Sequence, residues 1–304
     1  MISVVIPLYN KEKQIEKTLQ SVLKQTFQNF EIVVVNDGST DGSVAAAESV
    51  VDSRIRIIHQ ENAGVSVARN KGIKEALYDL VAFLDADDRW KPEYLQTQYE
   101  LTQKYPECSV FACNYEFVHT DGSVHPSIIR KLPFEGQTGI LPNYFEVASC
   151  SHPPICSISI MVRRSALLAI GGFPVGIKSG EDLLTWARLA CSGKIAYSRA
   201  VLAEFHVEGY TASDTPKRYP DEDDGVGRAL IDLLTDSHQP GACQYIALWY
   251  KMRASIYMRL GETGKCLTSC AHSLAYAPCN GKVYVMALLA MLPAALRNYL
   301  LRLI

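Results

Sequence analysis

The sequence predicts an α/β protein with a mixed, mainly parallel sheet, followed by an all-helical C-terminal region. Through residues 1–105, short apolar β-branched runs alternate with stretches in which apolar residues recur at helical spacing. Repeated strand–helix units of this length indicate parallel strands with helices on both faces of the sheet. From residue 223 onward the helical spacing continues, and no strand pattern interrupts it.

Four buried strands are expected in the first part of the chain, because each run is short, apolar and bounded by turn residues. They cover residues 2–6, 31–35, 54–59 and 80–84. The helices between and after these strands have apolar residues on one face. They are expected at residues 11–24, 43–51, 65–77 and 92–104.

The pattern becomes mixed from residue 109 onward. We expect strands at 109–119 and 158–162, a hairpin turn at 120–123 with a returning strand from Val124, and helices at 163–170 and 180–192. Residues 125–154 are rich in proline and glycine, so loops over the sheet are expected there. A change in composition places a domain boundary near Thr215, between a larger domain at 1–214 and a helical region at 215–304.

The composition excludes two classes of protein. With 48% hydrophobic residues in a chain of 304, a sizeable core can be buried, so global disorder is excluded. A formal net charge of -2, from 30 basic and 32 acidic residues, gives no electrostatic reason for a nucleic-acid partner. Nine cysteines without the paired spacing of a zinc site indicate buried, reduced thiols in a cytoplasmic protein. No basic, apolar leader precedes Pro7, which also favours the cytoplasm.

Polar side chains follow three of the expected strands at the point where each strand ends. They are Tyr9 and Asn10 after the first strand, Asp37 after the second, and Asp85, Asp87 and Asp88 after the fourth. Ligands of parallel sheets bind beyond the carboxyl ends of the strands. The sequence therefore predicts a functional site at this edge.

The acidic run at residues 85–88 is the first candidate for chemistry. Three carboxylates within four residues repel one another unless a cation neutralises them. Carboxylate oxygens are hard ligands that suit Mg²⁺ or Mn²⁺. The alternative is an acidic turn that caps the next helix, with Asp88 near its N-terminus.

Three further positions have both a functional and a structural interpretation. Asp37 could accept a hydrogen bond from a nucleoside, or could only hold an Asx-type turn and helix cap. Arg69 could pair with a phosphate through its planar fork, or be an ordinary solvated helix arginine. Asp182, with Glu181 beside it at a helix start, could be a general base, or the pair could only compensate the helix dipole.

Eight short motifs, in order along the chain, resemble the family 2 glycosyltransferases. They are VVIPLYN (4–10), QTF (25–27), VNDGSTD (35–41), NAG (62–64), ARN (68–70), FLDADD (83–88), GGF (171–173) and GED (180–182), continued by Trp186 and Arg188. Each motif is short, but their order makes the resemblance specific. It covers residues 1–210, about two-thirds of the chain.

The resemblance implies the GT-A fold, with a nucleotide-sugar half at 1–105 and an acceptor half at 106–214. It also implies a role for each candidate residue. Pro7, Tyr9, Asp37 and Arg69 would bind the nucleoside, Asp85 the ribose or phosphate, Asp87 and His206 a Mn²⁺ or Mg²⁺ ion, and Asp182 with Glu181 would be the catalytic base and its neighbour. For His206 the alternative is a buried histidine at a strand end.

The implied activity is inverting transfer of a sugar, with a UDP-sugar expected, onto a hydroxyl of a saccharide or lipid-linked saccharide acceptor. Synthesis of surface polysaccharide or glycolipid is the expected setting. A nucleotidyltransferase is an alternative, but residues 7–11 lack the glycine-rich basic loop that it would need. A non-catalytic nucleotide-sugar binding module and a pure interaction protein are further alternatives.

The C-terminal helices contain an apolar stripe with two interpretations. Its members are Val285, Leu288, Leu289, Leu292, Leu296, Leu300 and Leu303. We favour packing against the larger domain, because stripes of this kind usually belong to a core. Alternatively, residues 283–304 make a peripheral membrane contact, with Arg297 and Arg302 toward an anionic surface. Pro293 and the polar residues make the segment a poor spanning helix.

Overall fold

The computed structural model describes residues 1–207, 219–235 and 237–301. Within these ranges the strands are β1 (Ile2–Leu8), β2 (Phe30–Asp37), β3 (Ile55–Gln60), β4 (Leu80–Phe83), β5 (Arg89–Trp90), β6 (Val110–His119), β7 (Val124–Pro126), β8 (Thr138–Ile140), β9 (Ile160–Arg163) and β10 (Ile195–Val207). The helices are α1 (Ile15–Leu23), α2 (Ser43–Glu48), α3 (Val65–Glu75), α4 (Tyr94–Lys104), α5 (Tyr144–Cys150), α6 (Arg164–Ala169), α7 (Glu181–Ser192), α8 (Gly225–Leu234), α9 (Ala242–Leu260), α10 (Thr263–Tyr276), α11 (Gly281–Met291) and α12 (Ala294–Leu301).

The described strands form one mixed sheet in the order β3-β2-β1-β4-β9-β6-β10-β5, with β7 beside β6 and β8 beside β10. Strands β3, β2, β1 and β4 run parallel. Strand β9 is antiparallel to both of its neighbours, β4 and β6. Strands β6 and β10 are parallel to each other. The prediction of a mixed, mainly parallel sheet is confirmed.

Both faces of the sheet are covered, as β1 shows. Ile2, Val4 and Ile6 pack into one apolar cluster, whereas Val5 packs into another. This alternation follows from the two-residue period of a strand. Helix α1 covers the first face with Ile15 and other apolar residues. Helix α3 approaches the second face so closely that a Cβ on Gly72 would lie 2.2 Å from a methyl carbon of Val5.

Two parts of the acceptor half differ from the prediction. Residues 125–154 are not only loops, because they contain β8 and α5. Helix α5 forms between proline-rich flanks because Tyr144, Phe145 and Val147 are buried on one side of it. Strand β10 was anticipated only at His206, although it runs for 13 residues. The predicted boundary near Thr215 falls outside the described residues.

The helical C-terminal region joins the sheet domain through α8 and α9. Val226 of α8 and Trp249 of α9 share an apolar cluster with Leu184 of α7. Helices α10 and α11 instead form a separate cluster with the end of α9, in which Val283 and Ala290 are buried. The regular elements described in this region are all helices, as predicted, and short turns separate them.

Among its described members, the apolar stripe predicted to pack on the larger domain does not do so, and Arg302 and Leu303 lie outside the described residues. Val285, Leu288 and Leu296 are exposed, because α11 turns Val283 and Ala290 toward α9 and α10 instead. Arg297, expected to face an anionic surface, is buried. None of the described helices is both long enough and apolar enough to cross a bilayer.

All nine cysteines lie in the described ranges and are free, as expected of reduced thiols. The expectation that they are buried is wrong for Cys243 and Cys279, which are exposed.

Candidate active site

The ends of β1, β2 and β4 form one edge of the sheet, at which the Tyr9 side chain is exposed and the Asp37 side chain is buried. Tyr9, just beyond β1, is 47% exposed, whereas Pro7 is half-buried and Asp37 is buried. The Oδ1 atom of Asn10 accepts a hydrogen bond from the amide of Thr40, at 2.8 Å. This bond ties the end of β1 to the turn after β2 and leaves the Tyr9 ring accessible.

Asp37 is held by the turn that precedes α3. Its carboxylate accepts hydrogen bonds from the amides of Ala63 and Gly64, both at 2.9 Å, and from Nε2 of Gln60, at 2.7 Å. A carboxylate has about four acceptor positions, so these bonds leave about one free for a ligand. Asp37 therefore holds the turn before α3. The Asx turn after β2 is made by Asn36 instead, whose Oδ1 accepts from the amide of Ser39 at 3.0 Å.

Arg69 joins two acidic groups that come from opposite halves of the domain. It is only 3% exposed, so the solvated interpretation is wrong. Its Nη2 donates to Oδ1 of Asp85 at 2.7 Å, and its Nη1 lies 3.6 Å from Oε1 of Glu181. The guanidinium also lies over the ring of Phe173, 5.2 Å from its centroid. The buried cation therefore links the end of β4 to the start of α7.

The next residue along α3 explains the glycine pair that follows α6. Asn70 Nδ2 donates to the Phe173 carbonyl and Asn70 Oδ1 accepts from the Phe173 amide, both at 2.8 Å. Gly172 has a φ of +70°, and a Cβ there would lie 2.5 Å from Asn70 Oδ1. Only glycine lets the two segments approach this closely. The ARN and GGF motifs thus form one contact.

The acidic run after β4 has a separate partner for each carboxylate. Asp85 accepts from Ser157 Oγ at 2.7 Å as well as from Arg69. Burial would raise the pKa of Asp85, but Arg69, Ser157 and Lys11 together hold it below its usual range. Asp87 pairs with Lys11 Nζ at 2.5 Å.

Asp88 has a different partner, the backbone of β10. It accepts from the amide of His206 at 2.6 Å. Burial, together with the charges of Asp85 and Asp87, raises the pKa of Asp88 to about 7. Asp88 therefore binds the backbone of β10. The structural alternative, in which Asp88 caps α4, is wrong.

The described side chains around Asp87 offer few ligands for a divalent cation. Among the described residues, no three His, Cys, Asp or Glu side chains are grouped so as to hold a metal ion by themselves. Mg²⁺ commonly takes only one or two carboxylates and completes its shell with substrate phosphates and water. Asp87 already pairs with a cation, and Nδ1 of His206 is a buried atom without a hydrogen-bond partner in the described part of the chain. Nδ1 of His206 lies 3.8 Å from Oδ1 of Asp88. Asp87 and His206 are therefore a partial donor set, which a divalent cation could use only together with phosphate oxygens and water.

Glu181 and Asp182 open α7 beside the Arg69 guanidinium. Burial raises the pKa of the Asp182 carboxyl, and the charge of Asp85 adds to the effect, while Arg69 and the amide of Leu183 lower it in part. Raising the pKa of a carboxyl strengthens it as a base. A raised pKa is the property that a carboxyl at this position would need to act as a general base near neutral pH.

The C-terminal helices contact this turn directly. Gly180 has a φ of +88°, and a Cβ there would lie 2.4 Å from Cζ3 of Trp249. The hydroxyl of Tyr245 donates to the carbonyl of Leu183 at 3.1 Å. Helix α9 therefore helps to position the start of α7.

The structure brings some of the predicted residues together and leaves others apart. Contacts connect Arg69 with Asp85 and Glu181, while Asp182 lies close enough for its charge to act on Arg69. Pro7, Tyr9 and Asp37 lie along the same edge, but within the described part of the chain they make no hydrogen bond or ion pair with that group.

Lys11, Ser157 and the role of Asp88 toward His206 were not anticipated. Lys11 directly follows the VVIPLYN motif, which indicates that it lies near the site but not that it pairs with Asp87. A lone serine such as Ser157 gives no such signal.

Comparison with known proteins shows which family the chain belongs to. Residues 3–169, more than half of the chain, match the family model described as Glycosyl transferase family 2. The chain is 32% identical over 211 residues to TuaG of Bacillus subtilis, a glycosyltransferase assigned to teichuronic acid biosynthesis, covering 68% of this chain and 79% of TuaG. It is 34% identical over 186 residues to the glycosyltransferase GlyA of Streptococcus pneumoniae, covering 60% of this chain. The match spans only 27% of the length of GlyA.

Solved structures show the same fold. TarS residues 1–349 of S. aureus, crystallised with UDP-GlcNAc, align with a TM-score of 0.67 and 20% identity over 99% of this chain and 87% of that chain. The mannosyltransferase PcManGT of Pyrobaculum calidifontis, in complex with GDP-Man and Mn²⁺, aligns with a TM-score of 0.57 and 21% identity over 95% and 78%. The described structure therefore has the GT-A fold.

Proposed function

Because the chain belongs to glycosyl transferase family 2, we propose that it is an inverting glycosyltransferase that moves a sugar from a nucleotide-diphosphate donor to a hydroxyl acceptor. One observation carries the proposal. Arg69 links Asp85, at the edge where a nucleotide would bind, to the turn that holds Asp182, a carboxyl with a raised pKa. A donor and a general base can thus meet at one place.

The donor would lie along the edge formed by β1, β2 and β4. Tyr9 offers an accessible ring to a base, and Pro7 and Asp37 lie beside it. Arg69, which is held beside Asp85, would face the nucleotide, and Asp85 would bind ribose or phosphate. We propose a UDP-sugar, a proposal supported by the TarS structure, which holds UDP-GlcNAc.

In the proposed reaction, the acceptor oxygen attacks the anomeric carbon from the side opposite the diphosphate. The new carbon–oxygen bond forms as the bond to the diphosphate oxygen breaks, and the acceptor proton passes to Asp182. Glu181 would keep Arg69 in place beside the base. A single displacement inverts the anomeric configuration and needs no second, nucleophilic carboxylate.

Asp87 and His206 would hold Mn²⁺ or Mg²⁺ together with the phosphates of the donor. A bound divalent cation supplies Lewis-acid neutralisation of the charge that develops on the departing diphosphate. Lys11, already paired with Asp87, would keep positive charge beside that carboxylate when the ion is absent.

We propose a saccharide or lipid-linked saccharide as the acceptor, in the synthesis of surface polysaccharide or glycolipid. The similarity to TuaG supports a polysaccharide product. A lipid-linked acceptor would bring the enzyme to the inner face of the plasma membrane, so a cytoplasmic enzyme that works there is proposed.

A donor screen tests the proposal. The full chain is incubated with Mn²⁺ and a panel of UDP-, GDP- and dTDP-sugars, with and without candidate acceptors, and release of the nucleoside diphosphate is measured. One UDP-sugar should be turned over above the background without enzyme. Absence of turnover, together with absence of binding for every donor in the panel, contradicts the proposal.

Removing the metal ligand gives a second test. Asp87→Ala should abolish transfer and weaken diphosphate binding while leaving the melting temperature nearly unchanged, because Asp87 lies at the surface of the site. Asp223→Ala, which removes an exposed carboxylate that pairs with Arg228, is the matched control. EDTA should stop the wild-type enzyme and Mn²⁺ should restore it, whereas full activity in EDTA contradicts the metal-dependent mechanism.

A further inference from the structure

A row of large apolar side chains lies open on α11 and α12. Its members are Tyr284, Val285, Leu288, Met291, Leu296 and Tyr299, each between 46% and 62% exposed. The four residues in α11 fall on one side of the helix, away from the buried Val283 and Ala290. An apolar face of this kind on a soluble helix indicates a surface that is covered by something else.

The charge of the same region differs from that of the rest of the chain. Residues 242–304 contain seven basic residues and one acidic residue, whereas residues 1–241 contain 23 basic and 31 acidic residues. Lys282 opens α11 beside the apolar row and is exposed. Lys251 of α9 is half-buried, and burial, together with the charge of Lys282, lowers its pKa. Among the described residues, neither lysine has an ion-pair partner.

We propose that α11 and α12 dock on an anionic lipid surface, with the apolar row inserted among the headgroups and Lys282 facing the phosphates. Tyrosines at the two ends of the row suit the boundary between headgroups and acyl chains. Basic residues beside an apolar helix face are the pattern of a helix that lies in the plane of a membrane.

Charge decides between lipid and a second copy of the chain. Residues 281–304 contain basic residues and no acidic one, so pairing the same face of two copies would bring no opposite charge to either copy and would leave like charges on both sides of the contact. An anionic surface instead neutralises them. The contact does not rest on the proposed transfer reaction, because the face and its charge lie outside the site that binds the donor.

Flotation of the full chain with lipid vesicles tests the contact. The protein should float at low salt with vesicles of phosphatidylcholine and phosphatidylglycerol, but not with phosphatidylcholine alone, and high salt should release it. Leu288→Ser/Met291→Ser should weaken binding about tenfold or more, because both side chains would leave the acyl boundary. Both residues are exposed, so circular dichroism and the melting temperature should stay unchanged.

Val51→Ser/Leu77→Ser is the matched control, since it removes two exposed apolar side chains from the sheet domain and should bind vesicles like the wild type. No flotation at low salt overturns the proposal, and so does equal binding to both kinds of vesicle. Sedimentation velocity can also contradict the proposal. If the wild type is an oligomer and the variant Leu288→Ser/Met291→Ser is a monomer, a second copy covers the face.

Discussion

Arg69 lies between acidic groups that are far apart in the sequence, and its burial explains why both are present. A guanidinium that is 3% exposed must be compensated by nearby negative charge, or its desolvation would be costly. Asp85 and Glu181 supply that charge through two different nitrogens. A lysine has one ammonium and could not contact both in this way, so the planar fork of arginine suits the position.

Asp182→Asn tests whether Asp182 is the general base. The amide is nearly isosteric but cannot accept the acceptor proton, so turnover should fall about 10²–10⁴-fold while donor binding is retained. In the wild type, kcat should fall as pH drops through the pKa of Asp182, because only the ionised form is a base. Since that pKa is raised, the acidic limb should lie above the ordinary aspartate value of 3.8.

Glu181→Gln is the comparison variant, because it removes the neighbouring charge and keeps Asp182. It should retain measurable turnover, with the acidic limb displaced. Near-normal turnover of Asp182→Asn contradicts the assignment, and a Glu181→Gln enzyme that alone is inactive moves the role to Glu181.

The candidate residues could be predicted where several of one type cluster at a strand end, as Asp85 to Asp88 do. The partners that set their charge could not, because Lys11 and Ser157 are ordinary surface residue types in the sequence. Their roles follow from contacts across 76 and 72 residues, which no local pattern encodes.

At the scale of elements, the strands that the sequence predicted are those with uninterrupted apolar runs, such as β2 and β4. Strand β10 lacks such a run. Ser198 and Arg199 interrupt it, and its register against β6 shifts between Ser198 and Ala203. A bulged strand breaks the two-residue period on which prediction relies. Pairing with β6 and β8 supplies the stability that local sequence does not.

Gly180→Ala tests whether α9 sets the position of the turn that carries Asp182. The added Cβ would lie 2.4 Å from Trp249 at a φ of +88°, so the turn must shift. Turnover should fall while donor binding remains, and the melting temperature should drop. The measurements are kcat and KM for the donor, together with the melting temperature from thermal unfolding.

Gly122→Ala is the control for the backbone alone. Its φ is +84° and a Cβ there meets nothing within 4 Å, so it carries only the left-handed cost of about 1–2 kcal/mol. Full turnover is expected for Gly122→Ala. Equal losses of turnover in both variants would show that contact with Trp249 does not position the turn.

At the scale of the whole molecule, the helical region is not one unit. Tyr245 and Trp249 of α9 belong to the same apolar cluster as Leu184 and Trp186 of α7. Helix α10 packs along α9, where Ser273 Oγ donates to the Ala247 carbonyl and the ring of His272 contacts Tyr250. Helix α11 packs on α10 and on the end of α9. The sequence predicted helices here but not this division, because apolar helical spacing does not reveal which neighbour a face will meet.

Two truncations test this division. Removing residues 282–304 should leave the catalytic core folded and active on a soluble acceptor, because the cluster around α7 and α9 is retained. The melting temperature should fall by several degrees, since Val283 no longer covers Cys266 and Cys270. Burying one such side chain contributes roughly 2 kcal/mol, and a chain of this size loses about 2–4 °C per kcal/mol.

Removing residues 242–304 should instead give an insoluble protein. It deletes Tyr245 and Trp249 and opens the core beneath α7, together with the support of the Asp182 turn. Expression, thermal melts and nucleotide release of the two truncated chains are compared with those of the full chain. If both truncations leave the protein soluble and equally active, α9 does not hold the catalytic turn, and the two clusters are independent units.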